Sequence, residues 1–241
     1  MLTLLPQCSA TLSVRFLHKG DDFALPEHCA RVHQIHGART IRVHGPMDAT
    51  EKADLSAVAL AKADLSAVAL AKADGMITDV AELPLVIRVA DCQSFAVYVP
   101  EREIIGVLHA GWRGLLAGAI EEFFAVLKRE WDVQPSDVWV AAGPSLCQQC
   151  AEFTDPAQEL PGIDPTFFDG RRVDLRGIAD AKLISLGVRK DHIERHPECT
   201  RCMPGRYWTY RGGDREAVMK GQSNMLHCKI LSTSTHDRSL C

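Results

Sequence analysis

The sequence lacks a cluster of basic residues and a long uninterrupted apolar run. Its 27 Lys and Arg stand against 31 Asp and Glu, giving a net charge of −4. Binding to nucleic acid or to an anionic membrane surface needs a basic footprint, so we expect neither as a partner. The longest apolar stretch, residues 83–99, is interrupted by Arg88, Asp91 and Gln93, which argues against a transmembrane helix. We expect a small molecule as the partner, and no obligate protein partner is evident.

We expect neither a leader segment nor an interdomain linker. Residues 1–6 have neither the positive charge nor the apolar core of a signal peptide, so we expect a cytoplasmic protein. No segment rich in Pro, Gly or Ser divides the chain, which predicts a single domain over residues 1–241. With 46% hydrophobic and 24% charged residues, the composition is that of an ordinary globular protein.

One segment, ADLSAVALAK, occurs twice in tandem at 53–62 and 63–72. At about 100° per residue, a period of this length rotates the apolar stripe of the second copy away from that of the first. A continuous helix would therefore not present one face to a core. We expect a duplicated surface segment at 53–72 and a flexible C-terminal tail from about residue 229.

Cysteine and histidine are present in surplus, with nine Cys and ten His. An odd number of cysteines without a secretory signal indicates reduced thiols, some of which bind metal or do chemistry, rather than a disulfide framework. Two CxxC pairs, Cys147 with Cys150 and Cys199 with Cys202, have the local spacing of zinc ligands. The gap between the pairs, residues 151–198, exceeds the usual gap of about 15–20 residues. A second, structural zinc is therefore a subordinate hypothesis.

Hydrophobic periodicity predicts strands and helices without a regular βαβ alternation, which favours an α+β fold. β-Branched and aromatic residues mark the strands, and apolar residues at helical spacing mark the helices. The predicted strands are 85–90, 95–99, 104–108 and 137–142, and the predicted helices are 115–131 and 178–186.

The register of one predicted hairpin decides whether two reactive side chains meet. If Pro100–Glu103 is a four-residue turn, paired positions sum to 203, so Ser94 lies opposite His109 and Cys92 opposite Gly111. Side chains two apart on a strand share a face. The hairpin therefore predicts that Cys92 and His109 point to the same side, and a shift of one residue would separate them.

A thiolate and an imidazole on one surface admit two interpretations. They can act as nucleophile and base, or they can provide two ligands of a zinc site completed by a second histidine. Three protein ligands leave a position for water or substrate, as in a catalytic zinc site. We take His36 as the third ligand, with His33 as its rival. If this segment is a strand, positions 33 and 36 point to opposite sides.

The residues after His109 suggest an anion site. A strand that runs through Gly111 and Gly114 into a helix leaves backbone N–H groups unpaired at the positive end of the helix. Arg113 supplies a planar guanidinium that matches phosphate or carboxylate. The glycines are also consistent with simple turn residues, because they form no known nucleotide-binding fingerprint.

Three short motifs carry a family resemblance. QIHG at 34–37, ADC at 90–92 and HAGWRG at 109–114 together resemble the YfiH or laccase-domain family, also called multi-copper polyphenol oxidases and purine nucleoside phosphorylases. Further matches follow in order along the chain, so the resemblance covers about residues 30–215. They are ADGMIT at 73–78, GP at 143–144 with Cys150 and Glu152, VDL at 173–175, CTRC at 199–202 and YWTYR at 207–211.

The resemblance implies a layered α/β/β/α sandwich, similar to cysteine hydrolases, and a metal held by His36, Cys92 and His109. It implies phosphorolysis of adenosine, inosine, guanosine and methylthioadenosine, and possible adenosine deamination. We expect Zn²⁺, with Cu²⁺ as the alternative. The catalytic candidates are Cys92, His109 and Asp91, and Asp91 would act as a proton shuttle in deamination. The candidates for phosphate or substrate binding are Arg113, Gly111, Gly114 and Gln34.

Departures from the family pattern bear on the expected function. Members of the family carry a longer N-terminal region, and we interpret Gly20–Asp22 as its remnant. Ala217–Met219 stands where the family has Gly-Arg-Met. These departures are consistent with a nucleoside-binding relative that has lost catalysis.

Two enzymatic functions besides phosphorolysis and deamination are compatible with the motifs. One is a copper-dependent polyphenol oxidase, and the second is a metal-free Cys–His hydrolase or peptidoglycan-editing amidase that uses Cys92 and His109.

Overall fold

The computed structural model describes residues 1–22, 24–45 and 71–232. Their strands are β1 (Leu2–Thr3), β2 (Leu12–Leu17), β3 (Ala30–Arg31), β4 (Thr40–Arg42), β5 (Gly75–Thr78), β6 (Leu85–Val89), β7 (Gln93–Val99), β8 (Ile104–Ala110), β9 (Trp139–Ala142), β10 (Phe168–Asp169), β11 (Arg172–Val173), β12 (Ile193–Arg195) and β13 (Asn224–Ile230). Their α-helices are α1 (Trp112–Leu116), α2 (Ala119–Trp131), α3 (Pro156–Glu159), α4 (Leu175–Leu186) and α5 (Arg215–Met219).

Two large sheets form the centre of the described structure. The first has the order β1-β2-β13-β6-β3 and the second has the order β12-β9-β7-β8-β5-β4, while β10 and β11 form a small ribbon. Neighbouring strands are antiparallel except for the pairs β3–β6, β4–β5 and β9–β12, which are parallel. Within the described ranges no βαβ unit repeats, and this mixture of elements confirms the expected mixed α and β character.

The six-stranded sheet is buried on both faces, which explains its nearly continuous apolar strands. On β7, Ala96 and Tyr98 point into the core between the two sheets, whereas Phe95 and Val97 point into the core beneath the helices. Successive side chains of a strand alternate in this way because their period is two. The sheet therefore separates two apolar cores.

Helix α2 covers the six-stranded sheet with one apolar stripe. Ile120, Phe123 and Leu127 recur at helical spacing and are buried. Gly106 on β8 makes this packing possible, because a Cβ there would lie 2.4 Å from the Phe123 ring. The prediction of one helix over 115–131 was wrong at its start. Gly118 adopts a left-handed φ of 80° and separates α1 from α2.

The predicted hairpin is confirmed. Strands β7 and β8 pair with Val99 opposite Ile104 and Ser94 opposite His109, as expected from a turn over Pro100–Glu103. Glu103 closes the turn with a left-handed φ of 51°.

The strand predicted at 137–142 begins later, at Trp139, because residues 135–137 form a turn of 3-10 helix. Helix α4 begins earlier than predicted because the Asp174 side chain caps it, and it ends before Gly187 as expected.

Helices α2 and α4 lie on the helical side of the six-stranded sheet and contact each other. The described residues thus give three layers, helix, sheet and sheet. The fourth layer of the expected sandwich stays a prediction. The tandem repeat falls outside the described residues except for Ala71 and Lys72. The tail expected from about residue 229 was wrong for Lys229 and Ile230, which belong to β13, and residues 233–241 lie outside the described ranges. Within the described ranges, no helix is both long and apolar enough to span a membrane.

Candidate active site

The candidate site forms where the chain crosses from one large sheet to the other. Strand β6 belongs to the five-stranded sheet and β7 to the six-stranded sheet, so Ala90–Cys92 makes the crossover. Asp91 has a φ of 80°, a left-handed value that few residues other than glycine adopt. The crossover turn is therefore strained, and contacts elsewhere in the fold must hold it.

The side chain of Asp91 makes those contacts. Its Oδ1 accepts hydrogen bonds of 2.7 Å from the hydroxyls of Thr200 and Thr209, and its Oδ2 accepts one of 2.7 Å from the backbone N–H of Arg211. Its backbone carbonyl accepts from the N–H of Leu146. Four groups from three segments, at residues 146, 200 and 209–211, thus fix the residue that precedes Cys92.

The structure brings His36, Cys92 and His109 together, as the sequence predicts. One ligand atom from each lies within 4.8 Å of the others, and the rings of the two histidines meet edge to face with their centroids 4.8 Å apart. Gly111 leaves room for the thiol, because a Cβ at that position would lie 2.8 Å from Cys92 Sγ.

Asp74 contacts the ring of His109 and the backbone of His36, and sequence reasoning missed it. Its Oδ1 lies 2.9 Å from His109 Nδ1 and also accepts a hydrogen bond of 3.0 Å from the His36 N–H. Its Oδ2 accepts one of 2.7 Å from the Gly37 N–H. The engagement of Nδ1 leaves Nε2 of His109 as the ring nitrogen available to a metal. The signal was present in the ADGMIT motif, where a carboxylate stands directly before the glycine that begins β5.

Burial and hydrogen bonding set the charge state of this cluster. Burial raises the pKa of Cys92, but hydrogen bonds from His109 and His36 outweigh it and lower that pKa to about 6. Burial lowers the pKa of His109, but its bonds to Asp74 and Cys92 raise that pKa to about 9. Asp74 is desolvated too, yet the bonds from His109 and the loop N–H groups hold its pKa below its ordinary value. At neutral pH the metal-free cluster is therefore a thiolate beside an imidazolium.

The alternative ligand His33 lies apart from the trio. It is exposed and forms an isolated parallel bridge with Lys72. The strand proposed for this segment was wrong, because the chain bends at His36 and Gly37. His36 takes a left-handed φ of 58°, and the carboxylate of Asp74 holds this bend.

A cavity of about 610 Å³ opens beside the trio, a size suited to a small-molecule ligand. His36, Cys92 and His109 line it together with aromatic and cationic side chains. Its aromatic members are Trp112 and Tyr210, and its cationic members are Arg88, Arg113 and Arg211. Arg211 was missed as a site residue, although the YWTYR motif contained it.

The residues predicted to bind phosphate fall into two groups. Arg113 and Gly111 line the cavity, and the Arg113 guanidinium lies 4.1 Å from the centre of the Trp112 ring. Gln34 also lines it, but its amide pairs with the backbone of Arg88. Gly114 is not among the lining residues. A Cβ there would lie 3.2 Å from the Gly37 carbonyl oxygen, so this glycine permits close backbone packing.

The fold and the site define a mixed α/β protein with one thiol and two imidazoles gathered at a ligand-sized cavity, a candidate metal centre. The chain belongs to the family described as multi-copper polyphenol oxidoreductase laccase, whose model matches residues 17–225. This assignment confirms the family resemblance seen in the sequence.

Relatives and solved structures agree with it. The chain is 28% identical over 148 residues to "Purine nucleoside phosphorylase YlmD" of Geobacillus stearothermophilus, covering 57% of this chain and 54% of that protein. It is 29% identical over 196 residues to "Purine nucleoside phosphorylase ORF3" of Streptomyces griseus, covering 77% and 70%. The structure of the Geobacillus YlmD matches with a TM-score of 0.69 and 21% identity, over 96% of this chain and 97% of that chain.

A further relative carries a different name. The chain is 26% identical over 139 residues to "Adenosine deaminase RL5" of an unknown prokaryotic organism, covering 53% of this chain and 52% of that protein. The sequence match thus spans about half the length of RL5 and of the Geobacillus YlmD.

Proposed function

We propose that this protein is a zinc-dependent purine nucleoside phosphorylase with its metal held by His36, Cys92 and His109. The observation that carries the proposal is the convergence of these three ligands on one cavity of about 610 Å³. The names of two relatives supply the reaction class.

The donor set fits zinc. A thiolate and two imidazoles are ligands that zinc accepts readily, and the Asp74 carboxylate behind His109 is the usual support for a metal-binding imidazole. Copper also binds imidazole and thiolate and is the alternative metal. When bound, the ion supplies Lewis-acid stabilisation of developing negative charge.

In phosphorolysis, phosphate attacks C1′ of the ribose and the bond from C1′ to purine N9 breaks. The base leaves with the bonding electrons and takes up a proton, which gives free purine and ribose 1-phosphate. We assign phosphate binding to Arg113, whose guanidinium matches the anion, and add Arg211 on the same cavity. The faces of Trp112 and Tyr210 suit a planar base, and both rings line the cavity.

Glycines and carboxylates have supporting roles in this proposal. Gly111 keeps the space that Cys92 needs, and Gln34 fixes the segment that leads to His36. Asp74 is a positioning residue that holds His109. We assign Asp91 a positioning role as well, because its oxygens already accept three hydrogen bonds from the protein. These contacts favour a role of Asp91 in holding the crossover turn, and they argue against the role of proton shuttle expected from the sequence.

Adenosine deamination is the second candidate, supported by the name of the relative RL5 and by the same metal-ligand trio. In this reaction water replaces the amino group at C6 of the purine, which gives inosine and ammonia. It needs no phosphate, so the two activities separate by their co-substrate.

The test is a panel of adenosine, inosine, guanosine and methylthioadenosine incubated with zinc-loaded protein, with and without phosphate. Phosphorylase activity gives free base only when phosphate is present, and deaminase activity gives inosine from adenosine without it. Cys92→Ala should lower the phosphate-dependent rate by about 1000-fold or more, whereas Cys228→Ala, at a thiol buried in the core between the sheets, should retain it.

Three different outcomes would replace the proposal. Oxygen uptake with a phenol and copper-loaded protein indicates a polyphenol oxidase. Hydrolysis that survives a chelator but is lost on alkylation of Cys92 indicates a metal-free cysteine hydrolase. Thermal stabilisation by nucleoside without turnover indicates a binding protein.

A further inference from the structure

Four more cysteines come together in the fold, away from the trio. The Sγ atoms of Cys147, Cys150, Cys199 and Cys202 all lie within 4.8 Å of one another. The spacing argument against a second site was therefore misleading. A parallel bridge between Ser145 and Cys199 closes the long gap between the two CxxC pairs.

The distances suit a metal ion better than disulfides. Cys202 Sγ lies 3.5 Å from Cys150 Sγ and 3.9 Å from Cys147 Sγ. Tetrahedral zinc with bonds of about 2.3 Å to sulfur places its sulfurs about 3.8 Å apart, whereas a disulfide needs about 2.05 Å. All four cysteines are free thiols.

The surroundings are arranged as around a zinc thiolate site. The backbone N–H of Cys147 donates to Cys199 Sγ at 3.3 Å, a bond that stabilises a thiolate. Arg176 joins the two segments by donating to the carbonyl oxygens of Ser145, Pro197 and Glu198. Its positive charge partly offsets the net charge of −2 that four thiolates and one Zn²⁺ carry.

We propose that Cys147, Cys150, Cys199 and Cys202 hold a structural zinc ion that ties the segment 145–150 to the segment 197–202. Each thiol gives up its proton as its sulfur binds the ion. Four protein ligands close the coordination sphere, so this ion has no position for substrate and plays no direct part in catalysis.

The proposed ion lies behind the active-site turn. From the first segment the N–H of Leu146 donates to the Asp91 carbonyl, and from the second the hydroxyl of Thr200 donates to the Asp91 carboxylate. Both clamped segments thus hold the residue before Cys92. Loss of the ion should loosen this turn, whereas the hydrogen bonds of Asp74 to His36 and His109 should remain.

The test is the metal content of purified protein, measured with four chains. Wild type should hold about two zinc ions and Cys202→Ser about one, because an exposed ligand is removed with little change in packing. Cys92→Ala should also hold about one, and Cys228→Ala about two. If Cys202→Ser retains the same zinc as wild type, the proposal is overturned. The Cys92→Ala chain separates this result from the proposed function, because only the four-cysteine site remains intact in it.

A second measurement does not depend on the folding of a ligand variant. Cobalt substituted into Cys92→Ala should give the intense thiolate-to-cobalt charge-transfer bands and d–d bands of tetrahedral coordination by four sulfurs. Absence of those bands, or disulfides among these four cysteines found by mass spectrometry of non-reduced peptides from the native wild type, would contradict the proposal.

Discussion

His109 Nδ1 lies 2.9 Å from the Oδ1 atom of Asp74, and both side chains are almost completely buried. The two residues are also joined through the backbone, because the His109 N–H donates to the Asp74 carbonyl at 2.8 Å. Asp74 in turn binds the loop that carries His36. One carboxylate therefore orients the ring of His109 and holds the backbone of the loop that carries His36.

Asp74→Asn should weaken zinc binding by about 10- to 100-fold, as is usual when the carboxylate behind a metal-binding histidine is lost. The matched control is Asp79→Asn, at a partly exposed carboxylate just beyond β5 that pairs with Arg42. Competition with a chromophoric chelator measures both affinities. Equal zinc affinities in the two variants would show that Asp74 does not support zinc binding.

Cys92 should react as a thiolate in metal-free protein because its pKa is lowered to about 6. Its alkylation rate should fall about tenfold per pH unit below 6 and level off above about 7, since only the thiolate attacks. Mass spectrometry of the Cys92 peptide isolates this site from the remaining thiols. A midpoint near 9, the value of an ordinary cysteine, would contradict the described contacts with His36 and His109.

Gly111→Ala should disrupt the trio because the new Cβ would lie 2.8 Å from Cys92 Sγ. We expect a loss of zinc affinity of at least about tenfold and a loss of stability of about 1–3 kcal/mol, because Gly111 is buried and the added methyl group overpacks the site. Gly205→Ala is the control, because nothing lies within 4 Å of a Cβ there. Unchanged affinity in Gly111→Ala would show that the thiol has more room than the structure gives it.

Asp91→Asn should destabilise the protein by about 1–3 kcal/mol, because an amide cannot accept at both positions and a buried donor loses its partner. Urea denaturation measures the effect, with the exposed Asp169→Asn as the control. A proton shuttle predicts a different pattern, in which stability is retained and only the rate constant of deamination falls.

The sequence predicted contacts whose geometry is local and missed those that depend on distant pairing. Turn length and strand period were enough to place Cys92 beside His109, because the hairpin is short and both of its faces are buried. Asp74 escaped notice because its contact with His109 depends on the alignment of β5 against β8, which no local pattern encodes.

The cysteine pairs show the same limit. Their separation along the chain counted against a shared site, yet the bridge from Ser145 to Cys199 brings them together. The break between α1 and α2 was also missed, because the apolar spacing continues across it and only the conformation of Gly118 interrupts the helix.

Zinc-dependent phosphorolysis is best measured as the amount of ribose 1-phosphate that zinc-loaded protein forms from inosine and inorganic phosphate. A phosphorylase forms one ribose 1-phosphate for each hypoxanthine released, and we expect Cys92→Ala to lose this product and Cys228→Ala to retain it. Hypoxanthine release without ribose 1-phosphate, or no release by fully zinc-loaded protein, would contradict the proposed function.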